Sequence, residues 1–306
     1  MINYVIRRLL WVVGILWGVS LLTFVVTYAV PADPARLYAG VHASADTVRS
    51  IRHQMGLDRP VYVQYLDYLG RVARGDFGYS YHLGLPVLPA IMDRFPATAE
   101  LALGGILAEL LIGLPVGILA AMWRNSPFDR FILLMSLLGI SAPSFWLGLI
   151  LLYYLGYVWP IFPLGGYGGI QNLVLPSLAL GITGAGWYAR MLRSTLLDIL
   201  GLDYVRTARA KGVRGALVVL RHMLPNALSP ILTMLGLDLG YFLGGVLVIE
   251  TVFGWPGIGR QGWEAITYQD VPMIMGTVLF AALVIVLMNL VIDLSYGFLD
   301  PRVRYD

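Results

Sequence analysis

Apolar residues fill this chain in blocks too long for the strands or core helices of a soluble domain. The first block, 9–30, contains no charge. A membrane-spanning helix needs roughly 20 mostly apolar residues, so the block reads as a crossing. Arg7 and Arg8 precede it as in a leader peptide, but the apolar core is too long for one and further spans follow. A second crossing covers 101–122, with Glu109 inside it. Residues 131–189 carry no charge at all, which is too long for one passage, and the Pro/Gly-rich stretch 160–172 divides it in two. The fifth crossing takes 227–249 around Asp238, and the sixth takes 273–292. The expected fold class is therefore an all-α integral membrane protein of about six crossings.

Residues 31–97, between the first two crossings, carry a different pattern. Asp46 is placed to cap a helix running to about Met55, and Pro60 suits the first turn of another. In that second helix Val61, Tyr65, Leu69 and Val72 recur at helical spacing. Gly75 to Gly78 make a turn, and Leu88, Ile91 and Phe95 mark a further short amphipathic piece. The organisation expected is an N-terminal end and first span over 1–30, a helical segment over 31–97, and a five-helix core over 98–306 that includes the loop 190–226.

Composition agrees with lipid as the main solvent: 58% of the 306 residues are hydrophobic and 13% are charged, against about 25% charged in soluble domains. Cysteine is absent, which removes disulfides and Cys-based metal or nucleophile sites. The basic residues are arginines apart from Lys211, and their placement sets orientation. With the long segment 31–97 set aside, one side of the membrane receives Arg7, Arg8, Arg124, Arg130, seven basic residues between Arg190 and Arg221, Arg302 and Arg304; the other receives Arg260. By the positive-inside rule both termini are cytoplasmic and 31–97 is external. That segment then reads as a helical cap over the external ends of the spans, which an external partner can also use for docking.

Small residues recur inside the spans. Gly236, Gly240 and Gly244 lie four apart and share a helix face, as do Gly113 and Gly117, which lets another helix approach closely. Pro115 and Pro143 add breaks that serve packing or hinging. Asp238, two residues from Gly236 and from Gly240, sits roughly 200° around the helix from each. A carboxylate at mid-bilayer costs roughly 2.5–3.5 kcal/mol on insertion scales. Asp238 therefore either lines a watery pathway or meets a partner subunit, or makes a structural hydrogen bond.

Catalytic chemistry is missing. A phosphate-cradling loop needs Gly-x-x-x-x-Gly-Lys-Ser/Thr, and Lys211 has no such glycine before it. His42, His53, His82 and His222 show no metal-ligand spacing, and no triad or carboxylate pair stands out. The chain is read as having no catalytic, cofactor or metal site of its own and no nucleic-acid partner. Transport through it must be driven by an ATPase subunit or by an ion gradient, the latter with Asp238 as proton site.

The internal loop between the fourth and fifth spans separates these two. It runs Asp203-Tyr204-Val205-Arg206-Thr207-Ala208-Arg209-Ala210-Lys211-Gly212-Val213-Arg214, then through Arg221 and His222 to Leu224-Pro225-Asn226. Physically it is two short helices separated by Gly212, a basic knob that a soluble subunit can grip. It resembles the shared cytoplasmic loop of ABC importer permeases, whose pattern is Glu-Ala-Ala, three residues, Gly, nine residues, Ile, any residue, Leu-Pro. Ala208, Gly212, Leu224 and Pro225 fall in register. Arg206, Thr207 and His222 depart from it in the manner of the dipeptide/oligopeptide/nickel branch. The opening Tyr4-Val5-Ile6-Arg7-Arg8, the stretch Gly75 to Ser80, the stretch Glu250 to Gly259 and the tail Leu299-Asp300-Pro301-Arg302 also look like the B-type permease of that branch.

The resemblance implies a type I ABC importer in a bacterial or archaeal inner membrane. In it this chain pairs with a homologous C-type permease, two ABC ATPase subunits that bind ATP and Mg sit below, and an extracytoplasmic solute-binding protein delivers the cargo. The residues expected to couple to the ATPase are Arg206, Thr207, Ala208, Arg209, Lys211, Gly212, Arg214, Leu224 and Pro225. Dipeptides or oligopeptides are the implied cargo, with nickel, glutathione or another small solute as alternatives. Asp238 stays as a pathway or subunit-contact candidate.

Overall fold

A computed structural model describes residues 2–29, 34–40 and 42–299. Its regular structure is helical apart from one isolated bridge between Tyr79 and Pro86. In chain order the helices are α1 Ile2–Ala29, α2 Pro34–Ala39, α3 Ala45–Gln54, α4 Val61–Val72, α5 Val87–Met122, α6 Pro127–Ser141 and α7 Ser144–Leu151, which continues as a π-helical stretch Leu152–Val158. There follow α8 Ile170–Leu200, α9 Asp203–Ala210, α10 Gly215–Leu217, a second π-helical stretch Val218–Met223, and α11 Leu224–Leu243. α12 Leu247–Val252, α13 Ile258–Thr267 and α14 Val271–Leu299 complete the fold.

Among the described residues four stretches are long and apolar enough to cross a bilayer: Ile6–Thr27, Val87–Met122, Gly215–Leu243 and Val271–Ile292. A fifth forms if α6 and the helix after it, bent by 100°, count together. The remaining expected crossing falls on α8. At 31 residues it is long enough, but Gln171, Asn172, Ser177 and Thr183 dilute its apolar character.

Several boundaries differ from the sequence expectation, each for a local reason. The amphipathic piece at 88–95 and the second crossing form one helix of 36 residues, with Pro89 tolerated in its first turn. The third crossing breaks at Ala142 and Pro143, because proline excludes the preceding residue from helical angles: Ala142 has ψ 129°. The fifth stops at Leu243. Gly245 there takes φ +103°, and a Cβ on it would lie 2.8 Å from the Gly259 nitrogen. In the 31–97 segment, Ser44 rather than Asp46 caps α3, its Oγ accepting from the Thr47 N–H at 3.2 Å. Residues 300–306 lie outside the described residues, and with them most of the tail motif and Arg302 and Arg304.

The chain forms two compact units. One comprises Met1–Thr98, Leu243–Leu247 and Pro256–Asp306. Here α1 and α14 pack along each other, α13 packs on α14, and Val87, Ile91, Ile258, Met273 and Phe280 form a buried core. Asp270 caps α14 and also accepts from the Ser80 hydroxyl and the His82 N–H, which ties the turn at 79–86 to the start of that helix. α4 lies against the side of α1: Tyr65 shares a 2.9 Å hydrogen bond with Ser20, and its ring is 5.2 Å from that of Phe24.

The other unit comprises Ala99–Phe242 and Val248–Trp255, and is organised around α8. Small residues bring α5 and α8 into backbone contact: a Cβ on Gly113 would lie 2.8 Å from the Ala185 carbonyl oxygen, and one on Gly117 2.7 Å from that of Ala189. α6 approaches the same helix, where a Cβ on Gly186 would lie 2.6 Å from the Ser136 carbonyl oxygen. Close approach of this kind replaces the hydrophobic drive that lipid cannot supply.

Candidate functional site

Every third or fourth residue of α9 is apolar or small, so the helix has one burying face. Val205 and Ala208 are buried on it, against Val218, Val219 and Met223 of the second π-helical stretch and Leu192 and Leu196 of α8. The remaining α9 side chains turn outward: Arg206, Thr207 and Arg209 are exposed. The chain reverses after Lys211, where Gly212 takes φ +76°. That is the left-handed region, in which a Cβ is resisted. The space around Gly212 is open, with nothing within 4 Å of a Cβ position. Arg214 then precedes α10, and an Asn226 to Tyr204 hydrogen bond of 3.1 Å ties α9 to the start of α11.

The nine expected coupling residues therefore divide. Ala208 belongs to the core and Leu224 is partly buried, so both hold the knob together. Arg206, Thr207, Arg209, Lys211, Gly212, Arg214 and Pro225 are exposed. Thr207 bonds to its own helix, its Oγ1 donating to the Asp203 carbonyl at 2.9 Å, and Arg206 pairs loosely with Asp203 at 3.7 Å. Exposed apolar side chains, overlooked at the sequence level, lie on the same element: Leu202, Tyr204, Leu217 and Leu220, each more than 40% exposed. Helical periodicity held the signal for two of them, because Val218, Val219 and Met223 define the buried face and Leu217 and Leu220 fall off it. The result is a basic surface with an apolar margin, suited to gripping another protein.

A second set of polar groups lies inside the spans. Asp238 on α11 is half-buried and accepts a 2.7 Å hydrogen bond from the Tyr188 hydroxyl on α8. Nearby on α5, Glu109 is 2% exposed, its side chain occupies the space left by the missing Cβ of Gly184, and its Oε2 has no hydrogen-bond partner among the described residues. Sequence reasoning noted Glu109 inside a span without assigning it a role; the signal was its being an intramembrane carboxylate. Closer to the knob, Arg193 on α8 holds buried Asp129 with two bonds of 2.6 and 2.7 Å, and the Asn125 N–H adds a third at 2.8 Å. Among the described residues no group of three or more His, Cys, Asp or Glu is arranged to hold a metal ion.

Residues 113–305 match the family described as binding-protein-dependent transport system inner membrane component, and residues 1–102 match its N-terminal family. The chain is 42% identical to the probable D,D-dipeptide transport system permease protein DdpB of Escherichia coli K12, covering 98% of this chain and 97% of that one. It is 41% identical to the glutathione transport system permease protein GsiC of the same strain, with both chains covered in full. Among solved structures it resembles the inward-facing MetNI methionine ABC transporter with a TM-score of 0.58 at 21% identity, covering 69% of this chain and 96% of that one. At that identity the likeness concerns the fold.

Proposed function

Because this chain belongs to the binding-protein-dependent transport system inner membrane components, we propose that it forms half of the translocation pore of an ATP-driven peptide importer and receives the power stroke through residues 203–223. The observation that carries this reading is the exposed basic knob, braced from beneath by Val205 and Ala208 and turned at Gly212. The chain is a membrane-embedded permease that works within a transporter complex. The complement we infer is a homologous C-type permease, two ATPase subunits supplying ATP and Mg sites, and an external solute-binding protein.

In the proposed cycle, closure of the ATPases on ATP displaces the knob. Its buried face passes that displacement to α8, and its covalent continuation passes it to α11. Exposed Arg206, Arg209, Lys211 and Arg214 supply charge to the ATPase groove, and the neighbouring leucines supply apolar contact. Dipeptides or oligopeptides are the proposed cargo; glutathione is the specific alternative, given the full-length similarity to GsiC. An ion-coupled carrier is disfavoured by family membership, and Asp238 is already engaged by Tyr188.

The test is co-purification of the ATPase in detergent together with uptake in proteoliposomes. Gly212→Val adds a β-branched side chain at a positive φ while leaving the spans untouched. The expected outcome is normal insertion with weakened ATPase capture or hydrolysis uncoupled from uptake. Normal capture and uptake in this variant, with a cysteine at position 210 crosslinking to no ATPase, would overturn the assignment.

A further inference from the structure

A cavity of about 1130 Å³ lies in the unit that contains α1, between the helices of the 31–97 segment and the ends of α1 and α14. Its composition is uneven. Among the described lining residues, Arg52, Arg59, Arg71 and Arg74 face a single carboxylate, Asp67. Asp67 is already engaged by Arg59 at 3.0 Å, and Arg74 donates to the Gly70 carbonyl at 2.8 Å. Arg71 makes no ion pair among the described residues. Two phenols, Tyr68 and Tyr81, line the same space. Burial pushes both up to about 12, so at neutral pH they remain hydroxyl donors. The polar part of the cavity is thus donor-rich and acceptor-poor, a match for an anion with several oxygens.

Position narrows the choice of anion. Phe24 and Thr27, which line the cavity, belong to the last turns of the apolar stretch Ile6–Thr27. The neighbouring α1 side chains Leu22, Val25 and Val26 are all more than half exposed, as expected of a lipid-facing surface. α4 presents Val61, Tyr62 and Leu66 outward beside the same opening, and Leu66 also lines the cavity. The site therefore joins an arginine-rich upper part to an apolar floor at the depth where hydrocarbon gives way to headgroups. A zwitterionic solute would bring its ammonium among four guanidiniums, with no free carboxylate among the described lining residues to receive it. A phosphodiester carrying acyl chains meets both halves of the site.

We propose that this cavity binds the phosphate of an anionic phospholipid, with an acyl chain laid along α1 beside Phe24. Bidentate pairing with a guanidinium suits a phosphodiester, and Arg71 is the side chain with the freest hand to supply it. The bound lipid fills a void between the α1–α14 pair and the helices packed on it, and so fastens the external segment to the spans. The proposal is independent of which solute is carried and of the role given to the cytoplasmic knob.

The assembled transporter, reconstituted in nanodiscs, is to be photolabelled with a phosphatidylglycerol analogue bearing a diazirine near the headgroup, and the labelled peptides mapped by mass spectrometry. A phosphatidylcholine analogue and competition by inorganic phosphate form the other arms. Phosphatidylglycerol should label peptides from 52–81 and the end of α1 in preference to phosphatidylcholine. Arg71→Gln should reduce that labelling about tenfold, the equivalent of one charge-assisted hydrogen bond, and Arg71→Lys, which keeps the charge but not the two-point geometry, should recover only part of it. Arg49→Gln, outside the cavity, should change nothing. Equal labelling by the two lipids in the wild type overturns the proposal without relying on any variant. So does unchanged labelling in Arg71→Gln. Displacement of the label by millimolar inorganic phosphate would make the site one for free phosphate and would equally overturn it.

Discussion

Single residues carry most of the polar organisation inside this membrane domain. Arg193, itself partly buried, grips buried Asp129 with two hydrogen bonds, with the Asn125 N–H as a further donor and Ser126 capping α6 through the Asp129 N–H. Removing one partner of a buried pair strands the other, at a cost of about 3–5 kcal/mol. Arg193→Ala should therefore lower the thermal unfolding midpoint in detergent sharply. Arg193→Lys should recover only part, because an ammonium cannot reproduce the two-point geometry. The double replacement Asp129→Leu with Arg193→Met should lose less than Arg193→Ala alone, and a larger loss would contradict the buried-pair account. Asp238 makes a second case. Asp238→Leu leaves the fully buried Tyr188 without its acceptor, a loss of about 1–3 kcal/mol, whereas Asp238→Asn keeps an acceptor oxygen and should retain most of the stability. If both variants unfold at the wild-type temperature and transport normally, neither a structural nor a pathway role survives.

Among the elements, glycine positions of different kind should respond to substitution in different directions. At Gly117 a side chain meets the backbone of α8, which cannot step aside, so Gly117→Val should separate α5 from α8 and destabilise by about 1–3 kcal/mol. Gly215 has open space and no positive φ, so Gly215→Ala should be neutral or slightly stabilising. Gly212 has the space but not the angle, and Gly212→Ala should fall between them. Thermal unfolding of the three variants side by side checks the order. Much of this layout was legible beforehand. Charge-free blocks mark apolar helices because lipid tolerates little else, and a glycine between two short amphipathic runs marks a bend. Helix ends were less legible, since a proline in a first turn and a proline at a break look alike in sequence: Pro89 sits inside α5 while Pro143 ends α6. Partnerships were not legible at all. Nothing local links Tyr188 to Asp238, 50 residues apart, or Asp129 to Arg193, 64 apart. The outward leucines of the knob stand among arginines, and only the buried face set by Val218, Val219 and Met223 marks them as lying off it.

At the scale of the whole chain, the orientation we propose rests on the distribution of arginines and is testable without any assembly. Reporter fusions after Arg124 and Arg221 should read cytoplasmic, and those near Asp58 and Gly168 external; a cytoplasmic signal at Asp58 would reverse the assignment. Where α6 turns through 100° into α7, Ser141 and Pro143 are exposed, and the first N–H groups of the new helix have no preceding turn to bond to. Hydrocarbon does not tolerate bare backbone, and such breaks persist in membranes only where protein or water covers them. A chain made in excess over its companion subunits would carry this uncovered elbow in the bilayer, a ready mark for membrane proteases. Its lifetime should therefore depend on the supply of its companions. Pulse-chase labelling with and without co-expression of the permease proposed as its partner should give a short-lived orphan and a long-lived assembled chain, so that the bend would act as a gauge of subunit stoichiometry.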